Sequence, residues 1–230
     1  MMTNTPALLD GIEFENAPNP TASLIVLHGL GADGNDFVPI AESLSLDEIG
    51  AVRCVFPHAP VRPVTINGGM AMRAWSDIRQ SDLGREEDEA GLRESQAQIE
   101  ALIARERERG VPASRIVLMG FSQGCAMTLL TGLRHAERLA GLVGLSGYLP
   151  LPKATASERS AASTALPIFL AHGRYDPMIS LARATTSRDA LVLMGYDVEW
   201  HEYPMQHSVS QEEVADLKQW LQRLLGPKRG

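Results

Sequence analysis

Residues 117–132, VLMGFSQGCAMTLLTG, decide how this chain is expected to fold. An apolar run ends at Gly120, a serine follows two positions later, and a second apolar run begins after Gly124. This is the G-x-S-x-G pattern of a sharp strand-to-helix turn that raises a serine hydroxyl above the carboxyl edge of a sheet. Small residues are needed on both sides of such a turn, which explains the two glycines. The stretch therefore predicts Ser122 as a nucleophile. The alternative is a serine that only caps the helix.

The rest of the chain alternates short apolar runs with longer amphipathic ones, which is typical of an α/β protein with a mostly parallel sheet. The short runs are rich in Val, Ile and Leu without polar alternation, as expected of strands covered on both faces. Helices are predicted over 36–46, over 86–109 and after Ser210, where Ser210 and Glu213 have the spacing of a capping box. We predict a single domain over 1–230, with about residues 1–10 as a loose N-terminal segment. The predicted strands are 23–28, 51–56, 115–120, 141–146, 167–172 and 197–203.

Two stretches, 57–85 and 147–166, are too long to be simple connections and carry turn residues without clean periodicity. Long irregular loops in compact domains are usually functional. We therefore expect these two stretches to form lids or pocket walls.

Composition excludes several classes of function. The 230 residues carry a net charge of −7 and no basic run, which disfavours nucleic acid as a partner. No apolar stretch approaches the length of a membrane span, and no signal peptide is apparent, so we expect no stable membrane insertion and a cytoplasmic location. The two cysteines, Cys54 and Cys125, are predicted as buried free thiols rather than a disulfide. Neither has metal-ligand spacing, so no metal is expected.

A serine nucleophile needs a base and an orienting acid, expected in the chain order serine, acid, histidine. Asp176 stands just beyond the apolar run of PIFLAHGRYDPMIS (167–180), and His207 follows the last predicted strand in VEWHEYPMQHSVS (198–210). Both would lie at the same sheet edge as Ser122. The rival residues are less well placed, because they fall inside regular elements, at strand or helix ends, or in the long loop: Asp189, Asp197, His58, His135, His172 and His201.

The glycines of SLIVLHGLGADGNDF (23–37) fit G-x-G-x-x-G, the spacing of a dinucleotide-binding turn. Such a site also needs an acidic residue after the second strand, and that strand ends CVFPHAP (54–60) without one. Asp47 and Glu48 precede the strand and are on its wrong side. We therefore predict no cofactor. The turn is interpreted as part of an oxyanion hole, with the N–H groups of Leu30 and Gln123 as donors.

Five motifs, taken in order and spacing, resemble the carboxylesterase and acyl-protein thioesterase family of small α/β hydrolases. The resemblance runs from about residue 13 to the C-terminal helix. The motifs are LHGLGADGNDF (27–37), GFSQGCAM (120–127), LSGYLP (145–150), HGRYDPMI (172–179) and YPMQHSV (203–209).

The resemblance implies an α/β-hydrolase fold with helices on both faces of the sheet and no large cap domain. It also implies no cofactor and the hydrolysis of acyl esters or thioesters. By motif match it places the nucleophile at Ser122, the acid at Asp176 and the base at His207. The same match assigns the oxyanion donors to Leu30 and Gln123.

The chain departs from the family pattern at three positions. Cys125 and Gln206 stand where the family commonly has glycine, and Trp75-Ser76-Asp77 lacks the aromatic of the family's W-[FY]-D loop. Because that loop resembles a wall of the acyl pocket, its change bears on substrate range and not on the chemistry. For each methionine in the predicted pocket, ordinary core packing is the alternative. The predicted pocket residues are Trp75, Met70, Met72, Leu149 and Met178.

The leading hypothesis is a serine carboxylesterase that hydrolyses short- to medium-chain acyl esters through an acyl-enzyme on Ser122. The alternative is an acyl-protein thioesterase or lysophospholipase that uses the same triad. A third hypothesis, a non-catalytic binding protein on a hydrolase scaffold, is disfavoured because every catalytic position is filled. The expected partner is a small-molecule acyl ester or thioester, and the resemblance suggests a homodimer.

Overall fold

A computed structural model of the chain describes residues 8–80 and 87–227. Its strands are β1 (Gly11–Glu15), β2 (Ala22–Leu27), β3 (Val52–Pro57), β4 (Val61–Val64), β5 (Met70–Arg73), β6 (Ile116–Phe121), β7 (Gly141–Leu145), β8 (Ile168–Gly173) and β9 (Val198–Tyr203). Its α-helices are α1 (Val38–Ser43), α2 (Glu89–Glu108), α3 (Gln123–Gly132), α4 (Pro152–Glu158), α5 (Leu181–Leu193) and α6 (Gln211–Leu225).

Seven of the strands form one sheet in the order β1-β3-β2-β6-β7-β8-β9. All of its pairings are parallel except that of β1 with β3. The six predicted strands are confirmed, each with ends shifted by two residues or fewer. The parallel order brings the carboxyl ends of β2, β6, β8 and β9 to one edge, where α/β proteins place their sites.

Alternate residues along the central strands enter two separate cores. Leu24 of β2 packs with α1 and α6 on one face, and Ile25 packs with α2, α3 and α5 on the other. This two-sided burial is why these strands read as continuous apolar runs. It confirms the predicted architecture of a mostly parallel sheet with helices on both faces. Of the helices described, none has the length and apolar character to cross a bilayer.

The helix ends differ from the predictions in informative ways. The predicted helix over 36–46 is a 3-10 turn at 34–37, then α1, then another 3-10 turn at 46–48. Ser45 adopts φ 49°, which ends the helical path. The predicted helix over 86–109 is α2, capped by the Asp88 side chain at Gly91 N; residue 86 lies outside the described residues. The capping box of α6 is present, with Ser210 Oγ accepting from Glu213 N at 3.1 Å.

Some elements were not predicted from the sequence. The edge strand β1 has only half-buried and exposed positions, so it lacks the apolar run that marks β2, β3, β6, β7 and β8. Within the long stretch 57–85, the described residues contain a β4–β5 hairpin that pairs Val61 with Arg73. The stretch 147–166 contains α4. Both cysteines are buried and free, as predicted.

Candidate active site

The turn between β6 and α3 holds Ser122 in a conformation that few residues adopt, with φ 56° and ψ −116°. Its two flanking glycines are required by close backbone contacts. A Cβ at Gly120 would lie 2.1 Å from the carbonyl oxygen of Gly124. A Cβ at Gly124 would lie 2.0 Å from the carbonyl oxygen of Leu27. The strained serine thus stands at the carboxyl edge of the sheet because the chain behind it is too tightly packed to relax.

Three side chains from separate loops meet at this edge in a hydrogen-bonded chain. His207 Nε2 lies 2.9 Å from Ser122 Oγ, and His207 Nδ1 lies 2.6 Å from Asp176 Oδ2. Asp176 follows β8 and His207 follows β9, so strand order alone brings them beside Ser122. A carboxylate accepts only, so Nδ1 carries the histidine proton and Nε2 faces the serine hydroxyl as an acceptor.

The Asp176 carboxylate is fixed from behind by its own loop. Its side chain has no exposed surface, and Oδ1 accepts the N–H groups of Met178 at 2.8 Å and Ile179 at 2.9 Å. Oδ2 is left to face His207, whose ring packs against Phe121 at 4.8 Å between centroids. The arrangement orients the imidazole while leaving its outer nitrogen at the serine.

The loop after β2 presents the predicted oxyanion donor, Leu30, beside Ser122. The buried ring of His28 donates from Nδ1 to the Gly29 carbonyl at 2.7 Å and accepts the Ala59 N–H at Nε2. Burial lowers the pKa of His28, which keeps the ring neutral as these two bonds require. The Gly29 carbonyl and the Leu30 N–H belong to one planar peptide unit, so the bond also orients that N–H.

The second predicted donor, Gln123, is the first residue of α3, so its N–H has no intrahelical acceptor. Its side chain has a further role that the sequence did not reveal. Oε1 accepts the Trp75 N–H at 2.8 Å, and Nε2 donates to the Ser76 carbonyl at 2.8 Å. Trp75 in turn donates from Nε1 to the His28 carbonyl at 2.9 Å. These bonds tie the Trp75-Ser76-Asp77 segment, here called the W-S-D loop, to Gln123 and to His28, which lies two residues before Leu30.

A cavity of about 640 Å³ opens above Ser122, and its wall is mostly apolar. Its size is within the range typical of small-molecule sites. The wall also includes Asp36 and Asn67. The other residues that form it are Gly29, Leu30, Ala32, Phe37, Ile66, Met72, Ile78, Phe121, Ser122, Gln123, Tyr148, Pro177, Met178, Ile179 and His207.

Only two of the five predicted pocket residues, Met72 and Met178, lie on this wall. Trp75 and Leu149 are buried in the core beneath it, where Trp75 holds the loop through its hydrogen bonds. Met70 is 64% exposed on the β4–β5 hairpin, outside the wall. Ile66 and Ile78 form part of the wall instead, and both belong to the long stretch 57–85 that was predicted to line a pocket. No periodic signal marks those positions.

Three of the rival histidines are engaged elsewhere. His201 contacts Glu199 and Asp216, and His135 contacts Glu100. His58 accepts the Gly34 N–H, which belongs to the glycine-rich turn. Across residues 8–80 and 87–227, no group of three His, Cys, Asp or Glu side chains is arranged to hold a metal.

A larger and more open cleft of about 1130 Å³ lies at the opposite, amino edge of the sheet. Its wall includes Glu48, Arg115 and Gln222, but its lining contains no serine, cysteine or histidine among the described residues. It therefore offers no nucleophile with a base. Of these two cavities, the smaller one alone has a serine and a histidine in its described lining.

The chain is similar to known proteins in sequence and in fold. The model of the phospholipase/carboxylesterase family matches residues 13–225. The chain is 40% identical over 207 residues to acyl-protein thioesterase 1 of Yarrowia lipolytica, covering 88% of this chain and 91% of that protein. In fold it is similar to SOBER1 of Arabidopsis thaliana, with TM-score 0.84, 30% identity and coverage of 89% and 99%. It is also similar to acyl-protein thioesterase 2 of Zea mays, with TM-score 0.81, 28% identity and coverage of 94% and 100%. The chain has the α/β-hydrolase fold, is a serine hydrolase, and belongs to the phospholipase/carboxylesterase family.

Proposed function

We propose that this chain is an acyl thioesterase that removes fatty acyl groups from protein thiols, with Ser122, His207 and Asp176 as its catalytic triad. The observation that carries the proposal is the Ser122–His207–Asp176 hydrogen-bonded chain at the floor of an apolar cavity. The relatives of about 40% identity that are named acyl-protein thioesterase 1 support the thioester over the short-chain ester predicted first.

The reaction follows from the geometry in two halves. Ser122 Oγ attacks the acyl carbonyl carbon while His207 Nε2, 2.9 Å away, takes the hydroxyl proton. The tetrahedral oxyanion is received by the N–H groups of Leu30 and Gln123. The carbon–sulfur bond then breaks, and the thiol departs with the proton from His207. In the second half, water gives a proton to His207 and attacks the acyl-enzyme, which frees the acid and returns the proton to Ser122.

The cavity favours an acyl chain over a compact polar substrate. Its apolar lining includes the side chains Phe37, Ile66, Ile78, Tyr148 and Ile179. Ile66 and Met178 are 43% and 69% exposed, so the apolar wall continues to the mouth of the cavity. A chain held along this wall leaves its thioester carbonyl beside Ser122 and its protein portion outside. The homodimer suggested by the family resemblance stays a prediction.

The test measures kcat/KM for matched oxygen esters and thioesters from two to sixteen acyl carbons. Each methylene buried in the cavity contributes about 0.8 kcal/mol, or roughly fourfold in kcat/KM, until the wall is filled. Ser122→Ala is the blank, and Ser157→Ala on α4 is the matched control, because the Ser157 hydroxyl bonds only within its own helix turn.

We expect a long-chain optimum and turnover of acylated peptide thioesters. A short-chain optimum on oxygen esters without thioester turnover would return the assignment to a carboxylesterase, and a preference for lysophospholipids would indicate a lysophospholipase. Activity that survives Ser122→Ala would show that the proposed nucleophile is wrong.

A further inference from the structure

A second histidine, His172, lies directly behind the proposed catalytic carboxylate. It occupies β8 four residues before Asp176 and is only 1% exposed. Its Nε2 lies 2.8 Å from the Ile179 carbonyl oxygen and 3.4 Å from Asp176 Oδ2. Oδ2 is also the oxygen that His207 contacts. The two histidines therefore both lie close to one carboxylate oxygen.

The contacts of His172 determine its protonation. A carbonyl oxygen only accepts, so Nε2 must carry a proton and donate it to Ile179, while Asp176 Oδ2 lies at 3.4 Å as an electrostatic contact. Burial lowers the pKa of His172, which favours the neutral ring. The ring is thus an uncharged donor beside the carboxylate, unlike a cation, which would compete with the developing imidazolium of His207.

We propose that His172 is a positioning residue that bonds the Asp176 loop through Ile179 and, with its N–H dipole beside Asp176 Oδ2, moderates the basicity of His207. The inference rests on the triad proposed above. The positive end of a neutral N–H dipole close to a carboxylate oxygen weakens the negative potential of that oxygen without cancelling its charge. Removing the dipole leaves a stronger negative potential at His207, which then holds its proton more strongly.

The other titratable and charged groups near His172 do not explain such an effect. Glu202 on β9 is opposite His172 in the strand register, and Arg174 Nε lies 3.4 Å from its carboxylate. Cys125 on α3 shares a small cavity with His172, and burial raises the pKa of that thiol to about 12, so it stays uncharged. Ser187 contributes only a neutral hydroxyl from α5.

The test compares two substitutions of nearly equal volume. His172→Gln keeps a neutral N–H donor at about the position of Nε2, whereas His172→Met removes it. His201→Gln is the matched control, because His201 pairs with the neighbouring β8 residue but contacts Glu199 and Asp216. For each variant, the rate of Ser122 labelling by a fluorophosphonate is measured from pH 5 to 9. This readout does not depend on which acyl substrate is natural.

We expect the acid limb of the labelling rate, which reports protonation of the base, to move to higher pH by about half a unit in His172→Met. The plateau rate should change less than about tenfold, because the N–H groups of Met178 and Ile179 still hold Asp176 Oδ1. In His172→Gln and His201→Gln, the acid limb of the labelling rate should lie at the same pH as in the unsubstituted protein. A histidine with a packing role alone would weaken the Asp176–His207 contact when removed, moving the limb to lower pH. That result, or a Gln variant that behaves like the Met variant, overturns the proposal.

A second measurement does not depend on variants that fold. Nitrogen-15 NMR of histidine-labelled protein should show His172 as the neutral Nε2–H form throughout the range in which His207 titrates. If His172 gains a proton together with His207, the proposal is wrong. If Ser122 is never labelled in the unsubstituted protein, the proposed triad fails, whereas labelling without the limb shift refutes only the role of His172.

Discussion

Replacing Gln123 with alanine separates the two roles of this residue, because its backbone N–H is kept and its side chain is lost. The substitution leaves the Trp75 N–H and the Ser76 carbonyl without their partners. Both residues are buried, with Trp75 fully enclosed and Ser76 6% exposed. Each unpaired buried group costs about 1–3 kcal/mol, so the free energy of unfolding should fall by roughly 4 kcal/mol. For a chain of this size the melting temperature should fall by roughly 10 °C.

Calorimetry and acyl-ester kinetics on the same samples measure the two effects. We expect the large loss in melting temperature to be accompanied by a fall in kcat of less than about tenfold at 25 °C, since the backbone N–H proposed as an oxyanion donor remains. A melting temperature within about 2 °C of the unsubstituted protein would show that the side-chain bonds do not hold the W-S-D loop, and the reasoning would be refuted.

Gln123→Glu serves as a control that keeps the size and shape of the side chain while replacing its amide with a carboxyl group. The new carboxyl group faces the Ser76 carbonyl oxygen, which repels a negative charge, so its pKa in the folded state is raised above the ordinary value of about 4.3. The folded state then binds more protons than the unfolded state. Stability relative to the unsubstituted protein should therefore fall as the pH rises above about 4.3. A pH-independent difference between the two proteins would contradict this expectation.

Three further outcomes follow from the same geometry. Gly124→Ala should abolish Ser122 labelling and lower solubility, because its Cβ would meet the Leu27 carbonyl oxygen at 2.0 Å; a fully active variant would show that the turn can relax. Cys54 and Cys125 should resist alkylation at pH 8 until the chain unfolds, since burial raises the pKa of each thiol to about 12; rapid reaction of the native protein is the contrary result. Burial raises the pKa of Glu213 to about 8 from 4.5. The folded state holds that proton more tightly, so stability relative to Glu213→Gln should decline between about pH 4.5 and 8 and level off above it, as measured by urea unfolding. A constant difference across that range would contradict the shift.

The polar triad was accessible to sequence reasoning because each member follows an apolar strand. Ser122, Asp176 and His207 come after β6, β8 and β9, and a parallel sheet sends all such positions to one edge. The structure places them within hydrogen-bonding distance. The residues of the cavity wall were harder to predict from the sequence, since only two of the five predicted residues lie on the wall. Wall positions depend on how the 57–80 region folds back over the sheet, and that region has no periodic pattern.

The glycine-rich turn illustrates the division between local and tertiary information. Its spacing matches a nucleotide-binding pattern, and only the lack of an acidic residue after the second strand argued against it. The structure explains why one of these positions must be glycine, since a Cβ at Gly34 would lie 2.4 Å from the Phe56 carbonyl oxygen. His172 is a similar case, because nothing in its sequence neighbourhood distinguishes packing from contact with Asp176.

The sequence by itself determined the α/β architecture and the family, and it predicted the three side chains of the Ser122–His207–Asp176 hydrogen-bonded chain. It could do so because apolar periodicity and motif spacing are local properties of the chain. Only the tertiary structure decided which residues form the acyl wall, that the Gln123 side chain ties Trp75 and Ser76 to the nucleophile turn, and that two histidines lie close to one carboxylate oxygen. These last features are contacts between residues far apart in the chain or on loops without periodic pattern. Their partners are chosen by packing, and no local sequence signal records them.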